Sequence, residues 1–283
     1  MNILTFDIEE WFHILDNYST KTESDWSNYE SRIHRNVDKI FELIDNSGFS
    51  ATFFIVGWIA KKHPDVVKRI SNAGYEIGSH TNMHQLIYEQ KPMEFSRDLE
   101  ESINTLEHIT GKKVRSFRAP GFSITEKNIW AFEILHKNGI THDCSVFPSG
   151  RTHGGFPSYG SAIPTLLKYN GIILKEFPIN TANIFGNNWI FSGGGYFRLS
   201  PYYFIKKWTI NSNYVMTYFH PRDFDPNQPI IPELNFFRKF KTYVGLKSSY
   251  NKLEKWLKDF QFVDLNEADL LIDWKNIKVI DLN

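Results

Sequence analysis

The chain has 283 residues, 41% of them hydrophobic and 16% aromatic, which is ample for a folded core and excludes a disordered chain. Its 32 basic and 32 acidic residues cancel, leaving no electrostatic footprint for nucleic acid, and no Lys/Arg cluster is dense enough to bind anionic lipid strongly. The single Cys144 excludes an internal disulfide, no cationic, apolar export signal is visible, and no apolar run reaches the ~20 residues of a membrane span; the expectation is a soluble, cytoplasmic protein.

In chain order, short apolar runs predict strands at Ile3–Asp7, Ala51–Val56, Glu76–Ser79, Arg115–Arg118, Ile140–Asp143, Ile172–Phe177 and Val215–Phe219. Between them, amphipathic stretches predict helices at Ser31–Asn46, Asp65–Ala73, Met93–Thr110, Glu126–Lys137, Pro201–Asn211 and Phe236–Asp259. Gly48, Gly74, Gly111 and Gly139 each stand just past a helical pattern, as C-terminal caps do. Alternation of this kind builds a parallel sheet, doubly wound or closed as a barrel, whose functional groups gather at the carboxyl ends of the strands. From about 148 to 200 the pattern gives way to Gly, Pro, Ser and Asn among aromatics, which reads as long loops over the barrel mouth.

Polar residues accumulate where the strands end. Asp7 and Glu9 alternate with Ile8 and so share one face of the first strand, where two adjacent carboxylates repel and are costly to desolvate. The third strand ends in Ser79-His80-Thr81-Asn82-Met83-His84, whose H-x-x-x-H spacing brings two rings to one side of a turn or helix. With one carboxylate these make a two-histidine, one-carboxylate metal site; the plainer reading is a pair of polar loop histidines. Arg118, before a Pro-Gly turn, is placed for a buried ion pair or is a surface arginine. His220 and Asp143 at later strand ends would each pass alone for structural residues.

Taken in order, these segments resemble the polysaccharide deacetylases of carbohydrate esterase family 4, the NodB-homology group. The resemblance rests on Thr5-Phe6-Asp7-Ile8-Glu9, the Ser79–His84 run, Arg118-Ala119-Pro120-Gly121 and Phe219-His220-Pro221. A bacterial subgroup is similar over nearly the whole chain, through Gly193-Gly194-Gly195-Tyr196-Phe197-Arg198, His220-Pro221-Arg222-Asp223-Phe224-Asp225-Pro226 and Tyr243-Val244-Gly245-Leu246. What the resemblance implies is one catalytic domain over 1–283, a distorted (β/α) barrel with fewer than eight regular strands, and a helical extension at 232–283 packed on the barrel.

The resemblance also assigns roles. Asp7 is the general base, Arg118 pairs with it, and Glu9, His80 and His84 hold one divalent metal, zinc above all, with Co, Ni, Mn or Fe as alternatives. Asp143 holds His220, the general acid, and the Gly121 N–H stabilises the oxyanion. The usual adjacent Asp-Asp is replaced here by Asp7-Ile8-Glu9-Glu10, so the metal carboxylate is Glu9 or Glu10, and strand alternation favours Glu9.

Trp11, Phe122, Trp189 and Tyr196 are candidates for stacking on a sugar ring. The implied reaction is removal of an N-acyl group, acetyl foremost, from a nucleotide-linked, lipid-linked or oligosaccharide amino sugar in surface-polysaccharide or O-antigen biosynthesis. Alternatives are a deformylase or small cyclic-amide hydrolase on the same fold, a metal-free glycosidase using the carboxylates, and an inactive glycan-binding homologue.

Overall fold

The computed structural model describes residues 1–15, 17–150, 153–184 and 187–283. Its strands are β1 (Asn2–Ile3), β2 (Thr5–Ile8), β3 (Thr52–Ile55), β4 (Glu76–Ser79), β5 (Ser116–Phe117), β6 (His142–Asp143), β7 (Thr165–Tyr169), β8 (Ile172–Glu176), β9 (Ala182–Ile184), β10 (Asn187–Trp189), β11 (Val215–Met216) and β12 (Val279–Asp281). The sheet order is β12-β7-β8-β6-β5-β4-β3-β2, parallel except for the antiparallel β7–β8 pair. Strands β2 and β3 are buried on both faces, which is why they read as unbroken apolar runs.

The chain start carries the sheet round to β11. Asn2 and Ile3 pair with Val215 and Met216, and an isolated bridge joins Phe6 to Phe219. Between these contacts the ladder is irregular: the Thr217 hydroxyl accepts the Thr5 N–H at 2.7 Å. Across the remaining seam, from β8 to β11, no ladder runs among the described residues. Side chains tie it instead: Asn180 accepts the Met216 N–H at 3.1 Å and the Tyr214 hydroxyl donates to the Pro178 carbonyl at 2.8 Å. The expected distorted barrel is present, open on one side.

Helices α1 (Glu23–Trp26), α2 (Ile33–Ser47), α3 (Gly57–Lys62), α4 (Pro64–Asn72), α5 (Pro92–Thr110), α6 (Trp130–Lys137), α7 (Gly194–Leu199), α8 (Tyr202–Ile210), α9 (Phe236–Tyr243), α10 (Leu246–Asp259) and α11 (Leu265–Leu271) complete the fold. Helix α2 buries Ile33, Val37, Ile40, Phe41 and Ile44, the stripe its 3.6-residue period dictates. Gly48 and Gly111 close α2 and α5 in the left-handed conformation, as expected for cap glycines.

Two expectations are corrected. The 148–200 stretch, of which 151–152 and 185–186 lie outside the described residues, is more than loops: the strand expected from Ile172 is present as β8, and the stretch also holds its hairpin partner β7 and α7. Asn170-Gly171, with φ of +44° and +81°, is the two-residue turn that fits the strand twist, so this dipeptide was the overlooked signal. The 232–283 segment is not wholly helical either, since it ends in β12, parallel to β7. Its α10 buries Leu253, Trp256 and Leu257 in the same core as Leu4 and Phe6. Among the described residues, no helix is long and apolar enough to cross a membrane.

Candidate active site

The carboxyl ends of β2, β4, β5 and β11 converge on one cavity lined by Asp7, Glu9, His80, His84, Gly121, Phe122 and His220. Asp7 and Glu9 share the inward face of β2 and its exit, as the pleat requires. Glu10 points elsewhere. Its carboxylate accepts the Arg32 N–H at 3.0 Å and the Ile33 N–H at 3.2 Å and takes the Ser31 hydroxyl, so it caps the start of α2.

Glu9, His80 and His84 bring one ligand atom each to within 4.8 Å of one another, with Glu9 Oε2 lying 2.5 Å from His84 Nε2. The Arg118 carbonyl sits 2.7 Å from His80 Nδ1; a carbonyl only accepts, so Nδ1 carries the proton and Nε2 keeps its lone pair for the cavity. Burial, reinforced by His84, holds His80 well below the usual imidazole range and therefore neutral. Burial opposes the Glu9 charge, but His84 and His220 pull its carboxyl down to about 2. A neutral imidazole and an ionised carboxylate converging on one point are what a divalent cation requires, so the residues fit the metal the resemblance implies.

The H-x-x-x-H segment is a tight turn rather than a helix. Thr81 at φ +63° and His84 at φ +52° occupy the left-handed region, which is costly for a β-branched residue. The surroundings hold them there. Asp98 on α5 accepts the Asn82 and Met83 N–H groups at 2.7 and 3.0 Å, while Gly57 and Trp58 donate to the carbonyls of Thr81 and Asn82, both at 2.9 Å.

Arg118 is fully buried and binds Asp7 Oδ1 and Thr5 Oγ1, both at 2.7 Å. It also lies over the Phe54 ring at 4.4 Å. Burial nevertheless pushes the Asp7 carboxyl above its ordinary range, against the pull of Arg118 and His220. The second Asp7 oxygen faces His220 Nε2 at 3.7 Å. Beside them Gly121, at φ +59°, adopts the left-handed conformation that favours glycine, and a Cβ there would press on the end of the Leu15 side chain at 2.8 Å.

The structure gives His220 a different partner from the one expected. Its Nδ1 lies 3.0 Å from Asp223 Oδ2, and Asp223 Oδ1 pairs with Arg198 Nε at 3.0 Å. Asp143 sits deeper: its carboxylate takes the Ser145 hydroxyl at 2.6 Å and meets Glu176, and burial drives both carboxyls up so that the pair retains a proton. The strand-end position of Asp143 was legible, but its side chain turns into the barrel. Asp223 lay in the His-Pro-x-x-Phe-Asp-Pro segment, three residues from His220, and went unassigned.

Of the aromatic candidates, Phe122 lines the cavity. Trp11 does not; it is buried with Phe12 and Trp26 and donates its indole N–H to the Glu30 carbonyl at 3.0 Å. Trp189 and Tyr196 form an exposed edge-to-face pair, 6.2 Å between centroids, outside the immediate lining. His13, which sequence reasoning passed over, is buried against the His84 ring at 5.4 Å with neither ring nitrogen hydrogen-bonded.

Fold and site together define an α/β barrel protein with a two-histidine, one-carboxylate centre beside a buried carboxylate–arginine pair. Residues 11–141 match the family model described as polysaccharide deacetylase, and residues 144–269 match one described as a domain of unknown function, DUF3473. Residues 11–141 thus carry a polysaccharide deacetylase domain, and the fold is one shared with carbohydrate esterase family 4 structures.

It is 32% identical over 96 residues to a peptidoglycan-N-acetylglucosamine deacetylase of Bacillus cereus, covering 34% of this chain and 35% of that one. It is 31% identical over 98 residues to a chitooligosaccharide deacetylase of Azorhizobium caulinodans, covering 34% and 44%. The matches thus span between about a third and somewhat under half of these relatives. In fold it is similar to a crystal structure assigned as a polysaccharide deacetylase from Mycobacterium smegmatis (TM-score 0.68, 14% identity, 99% and 92% of the two chains). A CE4-family pseudoenzyme from Bacillus anthracis also aligns (TM-score 0.51, 14% identity, 99% and 69%).

The boundary between the two matched regions falls at β6, inside the sheet. His80, His84 and Arg118 come from the first region and His220 with Asp223 from the second, so the cavity needs both.

Proposed function

We propose that the protein hydrolyses the N-acetyl group of an amino sugar, using one divalent metal. The observation that carries this reading is the placement of Asp7, fixed by Arg118 at 2.7 Å, opposite His220 at 3.7 Å and beside the Glu9, His80, His84 cluster. A divalent ion held by those three residues, zinc by preference of the donor set, supplies acidity to water and polarises the acyl oxygen.

Asp7 takes the proton of the attacking water as the new C–O bond forms; Arg118 aims the carboxylate and favours its ionised form against burial. His220 then gives a proton to the amide nitrogen as the C–N bond breaks, releasing acetate and a free amine. Burial opposes the imidazolium, but Glu9, Asp223 and Asp7 outweigh it and raise His220 to about 9, so it stands protonated at neutral pH. The Gly121 N–H serves the oxyanion, for which one backbone donor contributes about 3 kcal/mol. Phe122 offers an apolar face to the sugar ring from the cavity wall.

A nucleotide- or lipid-linked precursor of a surface polysaccharide is the substrate class we propose, and the cytoplasm is the compartment that suits the free, buried Cys144. The test is mass spectrometry of N-acetyl amino-sugar precursors incubated with metal-loaded protein, read as loss of one acetyl mass. His80→Ala and His84→Ala are expected to lose metal, and Asp7→Asn to keep it without turnover. Undiminished acetate release by Asp7→Asn would sink the mechanism.

A further inference from the structure

Helix α9 has the sequence Phe236-Phe237-Arg238-Lys239-Phe240-Lys241-Thr242-Tyr243 and buries none of its residues. Phe236 and Phe237 are 79% and 76% exposed and Phe240 51%, a concentration of bare aromatic surface that a chain in water does not keep without use. Positions 236, 237 and 240 fall within about 100° of one another on a helix, with Lys239 and Lys241 flanking that arc on either side. No acidic residue interrupts the helix. Its length and placement are fixed: Asn235 caps the start by accepting the Arg238 N–H at 3.0 Å. The Arg198 guanidinium on α7 grips the carbonyls of Lys241, Thr242 and Val244 at 2.7 to 3.2 Å.

We propose that α9 docks the protein on an anionic lipid bilayer, with the three phenylalanines in the acyl–headgroup boundary and the lysines on lipid phosphates. The charge pattern chooses this occupant. Phe has no polar group with which to hold a sugar hydroxyl, whereas apolar rings flanked by lysine are the pattern of a helix lying in a membrane interface. The sequence shows no dense basic cluster; on α9 the basic residues beside the compact aromatic face are Lys239 and Lys241.

The consequence concerns the site. Lys241 and Thr242 line the catalytic cavity, and Arg238 donates to the carbonyl of Leu15, another lining residue. A bilayer under α9 therefore lies beside the cavity mouth, where the sugar of a lipid-linked substrate would project from the membrane. The choice of a lipid-linked over a nucleotide-linked sugar rests on the deacetylase reading; the docking surface does not.

The experiment is co-sedimentation of the whole protein, without substrate, on phosphatidylcholine vesicles with and without phosphatidylglycerol. Partitioning is expected on the anionic vesicles and is expected to weaken at high salt. Phe236→Ser/Phe237→Ser/Phe240→Ser, at exposed positions and checked by its unchanged melting temperature, should lower the partition coefficient on the order of tenfold or more. Lys239→Glu should lower it on anionic vesicles alone. Absence of vesicle binding, or binding that survives loss of all three rings, overturns the proposal. So does a concentration-dependent dimer, or retention on a glycan column, that the triple variant abolishes while vesicle binding is absent. Since nothing here depends on turnover, an inactive but vesicle-bound protein would count against the deacetylase reading only.

Discussion

His220 Nδ1 and Asp223 Oδ2 stand 3.0 Å apart, and the far oxygen of the same carboxylate is held by Arg198. Burial works against the Asp223 charge, but Arg198 and His220 hold its carboxyl at about 2, so it remains an anion throughout the range in which a hydrolase works. His220, the general acid of the proposed reaction, is thus oriented from its own turn rather than from a neighbouring strand.

A pH profile tests that assignment. A general acid must be protonated, so activity falls as pH rises through the His220 pKa. Asp223→Asn keeps the shape, removes the anion that stabilises the imidazolium, and moves the alkaline limb of kcat/KM to lower pH. Activity at the optimum should drop about 10- to 100-fold. Asp143→Asn should leave the limb in place, because Asp143 meets Ser145 and Glu176. An alkaline limb that moves with Asp143 and not with Asp223 would reverse the assignment.

The two glutamates after Asp7 separate in the same way. Glu9 lies 2.5 Å from His84 in the ligand cluster, and Glu10 caps α2. Glu9→Ala is expected to lose metal in elemental analysis. Glu10→Ala is expected to retain it while lowering stability by about 1 kcal/mol, the usual cost of a lost cap. Equal metal loss in both would show that the cap and the ligand are one unit.

Much of this was legible because it follows from period and sequence spacing. The shared face of Asp7 and Glu9, the site at strand ends and the cap glycines depend on geometry that every strand or helix obeys. The parts that were not legible depend on where a side chain turns after its backbone is placed. In the sequence Asp143 and Asp223 both stand near strand ends; in the fold Asp143 turns into the barrel, while the Pro221–Phe224 turn brings Asp223 back to the His220 N–H and ring. Trp11 follows the catalytic strand closely enough to suggest the pocket, yet its indole finds the Glu30 carbonyl and takes the ring into the core. Asp98 sits in the middle of an ordinary amphipathic helix, where nothing in the local pattern separates a buried anchor from a solvated charge.

Asp98 therefore carries a prediction that the motifs did not. Its carboxylate is the joint acceptor for Asn82 and Met83, in the turn whose left-handed Thr81 and His84 present the two histidine rings. Asp98→Asn replaces one acceptor oxygen by a donor facing an N–H, leaving a half-buried clash of like groups. The expected result is weaker metal binding, on the order of 10- to 100-fold as for other residues that orient ligands, with circular dichroism unchanged. Metal affinity equal to that of the parent protein would mean that the turn holds its shape without Asp98.

Stability should carry a pH signature from the other end of β4. Glu76 is largely desolvated, which raises its carboxyl from 4.5 to about 7 despite the hydrogen bond from the Thr52 hydroxyl. A carboxyl raised on folding binds its proton more tightly in the native state, so the folded protein loses stability as pH climbs from about 4.5 to about 7 and then levels off. Glu76→Gln keeps the acceptor for the Thr52 hydroxyl, which lies 2.8 Å away, and removes the buried charge. The variant should melt higher than the parent at pH 8, by about 1–2 kcal/mol after allowing for the partial exposure of the side chain, and should match it near pH 4. Thermal melts of both proteins across this range measure the difference directly. A gap that stays constant from pH 4 to 8 would show that the gain comes from packing and that Glu76 does not titrate on folding.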